Sequence, residues 1–181
     1  MHRMTEQNLM DAFAGESQAH LRYLVFAERA RRDDLPHTAR LFEAIAYAEQ
    51  IHAGNHYRRL AHLKGASPTS SMGGFGPGDT RKNLEIALEG EQFEVEEMYP
   101  AYLRVAQAQE ERSASTSFDW AWQAEQTHVG LYQKALQAPE GGEAALGPIQ
   151  VCIICGWTCE GEAPEACPVC KVGPDKFRAF A

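Results

Sequence analysis

Glu49 with His52, and Glu125 with His128, are two Glu-x-x-His pairs. Residues three apart on a helix share a face, so each pair can turn one carboxylate and one imidazole toward the same metal ion. Each pair follows, by about 33 residues, a glutamate preceded by glycine: Glu16 and Glu91. One such pair is a common accident of helix surfaces, but here the pairs sit in matching places of an internal repeat. Ala12, Phe13, Gly15 and Glu16 align with Ala87, Leu88, Gly90 and Glu91 at an offset of 75, and Ala48-Glu49-Gln50 and His52 with Ala124-Glu125-Gln126 and His128 at 76. Tyr23 meets Met98 at the first offset and Tyr99 at the second. One Glu and one Glu-x-x-His from each half is the ligand arrangement of carboxylate-bridged two-metal sites in four-helix bundles. Glu94 adds a carboxylate where the first half has Ala19, so the site is not symmetric. Five ionised carboxylates converging on a bundle core would be prohibitively costly unless cations balanced them. Carboxylate-rich ligation with two imidazoles suits iron or manganese, while affinity order alone favours zinc.

The five cysteines lie at 152, 155, 159, 167 and 170, none of them in the first 151 residues. Without a secretory pattern, an odd cluster is a poor disulfide framework. Cys152-Ile-Ile-Cys155 and Cys167-Pro-Val-Cys170 are two C-x-x-C knuckles eleven residues apart, a four-thiolate tetrahedral site that zinc and iron both accept. Trp157 and Phe177 can supply a small apolar core around it. Cys159 falls outside the knuckles and reads as a free thiol.

Helices must position the first set. Apolar residues recur at helical spacing from Glu6 to about Arg32 and, after Leu35-Pro36, to about Leu63. Residues 65 to 79 are rich in Gly, Ser and Pro and long enough for a bundle crossover, with Asp79 or Thr80 able to cap the next helix. That helix runs from about Arg81 to Glu111, bent by Pro100, and a fourth from about Ala114 to Leu136. The expected division is a four-helix bundle over 1–137, a Gly/Pro linker over 138–150 and a metal-knuckle domain over 151–181.

Composition narrows the function. A formal charge of −8 with scattered Lys and Arg argues against a nucleic-acid binder. Apolar runs are too short for a membrane span, and the N-terminus lacks a signal-peptide pattern, so a cytoplasmic protein is expected. Among the other histidines, His20 and His56 lie one turn from proposed ligands but have no partner in the repeat, and both read as polar-face residues. Trp120 and Trp122 read as packing groups, and Arg29, Arg31, Arg32, Asp33 and Asp34 as a solvated helix end.

Taken together, Ala14-Gly15-Glu16-Ser17-Gln18 with Tyr23, Glu49-Gln50-Ile51-His52, Gly90-Glu91 through Met98-Tyr99-Pro100, Glu125-Gln126-Thr127-His128 and the two knuckles resemble the rubrerythrin family over nearly the whole chain. The resemblance implies a mainly α protein, a ferritin-like di-iron bundle with a C-terminal rubredoxin-like domain. Glu16, Glu49, Glu91, Glu94, Glu125 and His128 then match ligands of two irons, with Glu49 and Glu125 bridging. His52 matches a position that binds one iron only when it is reduced, replacing Glu94. Tyr23 and Tyr99 match tyrosines close to the di-iron centre and join Glu94 and His52 as the expected catalytic set. Cys152, Cys155, Cys167 and Cys170 match ligands of one iron, with zinc the alternative on expression. The implied activity is reduction of hydrogen peroxide to water in protection against oxidative stress. Electrons would pass through the tail iron from an NAD(P)H-linked reductase or rubredoxin; a homodimer or larger homo-oligomer is expected, and the linker leaves open whether the tail docks on its own bundle or a neighbour's. Two other readings compete: oxygen-dependent iron oxidation and storage, and a structural protein with zinc in the tail. The chain departs from the family in Cys159 and in its Gly-rich, acidic linker.

Overall fold

The computed structural model describes residues 1–181. Helix α1 (Arg3–Arg32) turns at Asp34, in the left-handed region at φ 57°, into α2 (Pro36–Arg59), which starts on a proline whose missing N–H costs a first helical turn nothing. The two pack side by side along most of their length. The irregular crossover leads to α3 (Thr80–Phe93), whose N-terminus is capped by Asp79 accepting from the Lys82 amide at 2.8 Å. A five-residue π-helical turn, Glu94–Met98, joins α3 to α4 (Tyr99–Ala108), and α5 (Arg112–Leu136) completes the bundle.

Three expectations change. Helix α2 stops at Arg59 rather than near Leu63. The bend assigned to Pro100 is preceded by the π turn, where Trp122 Nε1 donates to the Val95 carbonyl at 2.9 Å. Asp33 is more than part of a solvated end, because it accepts from the Thr80 amide and hydroxyl and so ties α1 to the start of α3.

The bundle core has two lobes. Tyr23, Phe26, Phe42 and Tyr132 pack ring on ring in one, and Tyr99, Tyr102, Phe118 and His56 in the other. Phe42 and Phe118 correspond at the 76-residue offset, so the repeat extends to the core.

After the linker, β1 (Ile149–Cys152) is flanked by β2 (Thr158–Glu160) and β3 (Phe177–Phe180) in an antiparallel sheet, with Trp157 and Phe177 edge to face at 6.2 Å. The linker is strapped to α2. Glu143 accepts from the amides of His37 and Thr38, placing an anion at the positive end of the helix, and Arg40 donates to the carbonyls of Leu146 and Gly147. The sheet therefore lies on its own chain's bundle: Asn55 donates to the Ile154 carbonyl, and Lys134 pairs with Glu160. Tail and bundle approach closely within one chain, one of the two arrangements the linker leaves open. No helix is long and apolar enough to cross a membrane.

Candidate metal centres

Four helices carry the charged set to the plane between the two core lobes. Glu16 comes from α1, Glu49 and His52 from α2, Glu91 from α3, and Glu125 and His128 from α5. All six are at most 1% exposed. Their ligand atoms form two groups, Glu16–Glu49–His52–Glu125 and Glu49–Glu91–Glu125–His128, in each of which the atoms lie within 4.8 Å of one another.

Glu49 and Glu125 belong to both groups and divide their oxygens between them. Glu125 sets Oε1 2.7 Å from His52 Nδ1 and Oε2 2.6 Å from His128 Nδ1. Glu49 sets Oε2 2.9 Å from His52 Nδ1 and Oε1 3.3 Å from His128 Nδ1. Each thus turns one oxygen toward each group's histidine. Glu91 Oε2 lies 3.3 Å from His128 Nδ1 and Glu16 Oε1 3.9 Å from His52 Nδ1, one at each end. The tyrosines cross over: Tyr23 of α1 donates to Glu91 of α3 at 2.7 Å, and Tyr99 of α4 donates to Glu16 of α1. Glu94, first residue of the π turn, keeps some exposed surface and stands outside both groups, whereas His52 is inside.

Protein groups alone do not satisfy this set. Glu16 Oε2 and His52 Nε2 are buried without a hydrogen-bond partner, while Glu49 Oε1 and both oxygens of Glu125 meet only histidine Nδ1 atoms, each of which several carboxylate oxygens share. A buried carboxylate oxygen without a partner is strongly disfavoured, so cations bound between these residues fit the donor set. The electrostatics agree. Burial, reinforced by Glu49 and Glu125, pushes Glu16 and Glu91 well above the carboxylate range. Burial also raises Glu94, with Glu16 adding to it. Burial works against ionised Glu125 too, but His52 and His128 on either side outweigh it and hold that carboxyl well below the usual range. The same carboxylate carries both imidazoles well above theirs against the pull of burial.

The second centre lies in the tail. Cys152, Cys155, Cys167 and Cys170 converge as reduced thiols, with Sγ–Sγ distances of 3.5 Å between Cys152 and Cys170 and 3.6 Å between Cys155 and Cys167. A tetrahedron of metal–sulfur bonds near ~2.3 Å has edges of about 3.8 Å, so the cage is close to the size of a zinc or iron site. Its thiols hold their protons unequally: the Cys155 contact brings Cys152 down to about 5, while burial takes Cys170 up to about 11. Cys159 stays outside, as expected.

The two centres meet through the histidines. His128 Nε2 lies 3.1 Å from Thr158 Oγ1, and that hydroxyl donates to the Gly156 carbonyl. His52 Nε2 faces Gly156 so closely that a Cβ there would overlap the ring. Each imidazole thus aims Nδ1 at the carboxylates and Nε2 at the cysteine knuckle.

Two histidines correct the polar-face reading. His20 is half-buried and hydrogen-bonds through Nδ1 to the Ala46 carbonyl at 2.7 Å, joining α1 to α2. His56 is fully buried, hydrogen-bonded to Tyr99 and Ser117, with burial lowering its pKa to about 3. The signal was present in the spacing, since a residue one turn beyond a core-facing ligand faces the core as well. Trp120 packs against the cysteine cluster and Trp122 against the second core lobe, as expected of packing groups.

A rubrerythrin family model matches residues 7–136, and the model for the rubrerythrin rubredoxin-like domain matches residues 150–178. Rubrerythrin-2 of Clostridium acetobutylicum is 42% identical over 178 residues, covering 98% of this chain and 97% of the relative. Nigerythrin of Nitratidesulfovibrio vulgaris is 36% identical over 179 residues, covering 97% of this chain and 86% of the relative. The structure of fully reduced, all-ferrous nigerythrin superposes with a TM-score of 0.85 at 35% identity, covering 97% of this chain and 86% of the other.

Proposed function

The chain belongs to the rubrerythrin family, a ferritin-like di-iron bundle joined to a rubredoxin-like domain, and from that premise we propose that it is a peroxidase reducing hydrogen peroxide to water. The observation that carries this reading is the docking of a four-cysteine centre onto the two histidines of a buried Glu/His set. Iron storage has no use for such a contact, whereas a reaction that must be re-supplied with electrons does.

Glu16, Glu49, His52, Glu125, Glu91 and His128 would hold the iron pair, with Glu94 as an exchanging ligand, and the four knuckle cysteines a single iron. Bound there, the iron pair would supply the two electrons that O–O cleavage consumes, and the tail iron would serve as a one-electron donor. The remaining steps fall to side chains. A 330 Å³ cleft lined by Ser71–Gly74 of the crossover and by α1 and α3 includes Tyr23 and Glu94 and is large enough to admit a small oxidant. Glu94, one of its lining residues, would exchange places with His52 and deliver a proton from its carboxyl to the departing oxygen. Peroxide, two electrons and two protons then leave as two waters. Tyr23 and Tyr99 would hold Glu91 and Glu16 in place, and the aromatic lobes keep bulk water out.

Electrons would come from an NAD(P)H-linked reductase or rubredoxin in the cytoplasm, in defence against oxidative stress. Exposed Leu21, Leu24 and Val25 on α1, with Met72 and Phe75 of the crossover, offer an apolar strip for assembly into a homodimer or larger oligomer. The relay is tested with Cys152→Ser and Cys167→Ser in a reductase-coupled peroxide assay. Turnover should fall by at least ~10-fold with bundle iron retained. Undiminished turnover contradicts the relay.

A further inference from the structure

We propose that Ser117, His56 and Tyr99 form a one-way hydrogen-bond chain that positions Glu16 and makes the Glu16 half of the two-metal site differ from the Glu91 half. The proposal rests on Glu16 being a metal ligand, as read above. Ser117 Oγ lies 2.9 Å from His56 Nδ1, His56 Nε2 lies 3.0 Å from the Tyr99 hydroxyl, and that hydroxyl contacts Glu16 Oε1. All four residues are at most 1% exposed, so water cannot substitute for any link.

The chemistry of the groups fixes the direction. A ligating carboxylate only accepts, so the Tyr99 O–H donates to Glu16. Its oxygen can then accept, and His56 Nε2–H supplies the donor. In a neutral ring the other nitrogen must accept, so the Ser117 O–H donates to Nδ1. Each donation polarises the next, so Tyr99 donates to Glu16 more strongly than an isolated phenol would. Glu16 Oε1 is thereby engaged, and Oε2 is the oxygen left free.

The repeat supplies an internal comparison. At the 76-residue offset Tyr132 occupies the place of His56 and Leu41 that of Ser117. Tyr23 donates to Glu91 just as Tyr99 does to Glu16, but the Tyr132 hydroxyl is buried without a partner and Leu41 has no polar group. The bundle packs there without a polar chain, so packing does not require one. Ser117 and His56 are positioning residues acting through Tyr99.

The experiment has two readouts besides turnover. In zinc-loaded, ¹⁵N-histidine-labelled full-length protein, NMR should show His56 as the Nε2–H tautomer; an Nδ1–H ring overturns the direction. In cobalt(II) titrations, the cysteine site is read separately by its thiolate absorption. His56→Phe should weaken one of the two bundle equivalents by ~10-fold and leave the other within a factor of about two. His56→Gln, whose amide keeps a donor toward Tyr99, should recover most of the loss. Tyr132→Phe, the matched change in the other half, should leave both equivalents unaltered. Ser117→Ala should weaken the same equivalent by less, and it serves as the test if His56→Phe does not fold. Equal weakening of both equivalents, or of neither, overturns the proposal. A bundle in the unsubstituted protein that takes up no cobalt would instead remove the ligand reading beneath it.

Discussion

At the scale of single residues, the proposed ligands are proton traps when no metal is bound. Burial holds Glu16 and Glu91 up, and Glu125 holds His52 and His128 up against burial. A group whose pKa is raised by folding stabilises the fold below its unfolded value and loses that contribution as pH rises through the raised one. Glu125 and Glu49 shift the opposite way, but above about pH 5 they are ionised in both states and add no slope; buried His56, lowered to about 3, opposes the trend below about pH 6.5 but is one group against four. The unfolding midpoint of metal-free protein should therefore fall between about pH 5 and about pH 8, while metal loading should reverse the trend because the ligands bind metal deprotonated. A metal-free midpoint that climbs over that range contradicts the assignment. Gly156 makes a second residue-scale prediction. It lies at φ 83°, but its counterpart in the other knuckle is Lys171 at φ 66°, so the turn alone does not require glycine. His52 does, because a Cβ would overlap its ring. Gly156→Ala should cost ~1–3 kcal/mol and speed amide exchange in β1 and β2, whereas Lys171→Ala should stay within about 0.5 kcal/mol. Equal effects would show that the turn alone matters. The paired Glu and His positions were legible because a repeat doubled the spacing signal; the nitrogen each histidine presents was not, because it depends on Thr158 and Gly156, about 30 and about 100 residues away in the chain.

At the scale of elements, the sequence recorded a feature that only the structure interprets. The repeat changes offset from 75 to 76 between Glu91 and Glu125, and the π turn Glu94–Met98 falls in that interval. A π turn holds one residue more than the α-helix it interrupts. It absorbs the extra residue, so Tyr99, eight after Glu91, reaches Glu16 as Tyr23, seven after Glu16, reaches Glu91. Deleting exposed Glu97 should return the segment to α geometry and leave bundle metal uptake within a factor of about two. Deleting exposed Leu21, in the half with no extra residue, should rotate Tyr23 by about 100° off the site and abolish uptake. Comparable uptake by both deletion variants, measured by metal analysis, would contradict this account of the turn. Helix extents were legible from periodicity, except where α2 ends early and Leu60 and Leu63 continue to pack as loop residues. The strap of Glu143 and Arg40 over α2 left no local pattern, since it joins residues more than 100 apart.

At the scale of the whole molecule, two metal centres share one chain and touch. Neither the bundle pattern nor the knuckles contained that fact; it arises because the linker turns back along α2 and lays β1 against it. The contact runs through the side of each histidine that faces away from the carboxylates, which is the route the proposed relay would take within one chain. The central claim is that this pairing spends tail electrons on peroxide, and it is tested most directly by anaerobically reducing the iron-loaded full-length protein and mixing it once with peroxide or with oxygen in a stopped-flow cell. The visible absorption of the four-thiolate iron, bleached by reduction, should return rapidly with peroxide and slowly with oxygen. A faster return with oxygen, or none with peroxide, would contradict the account.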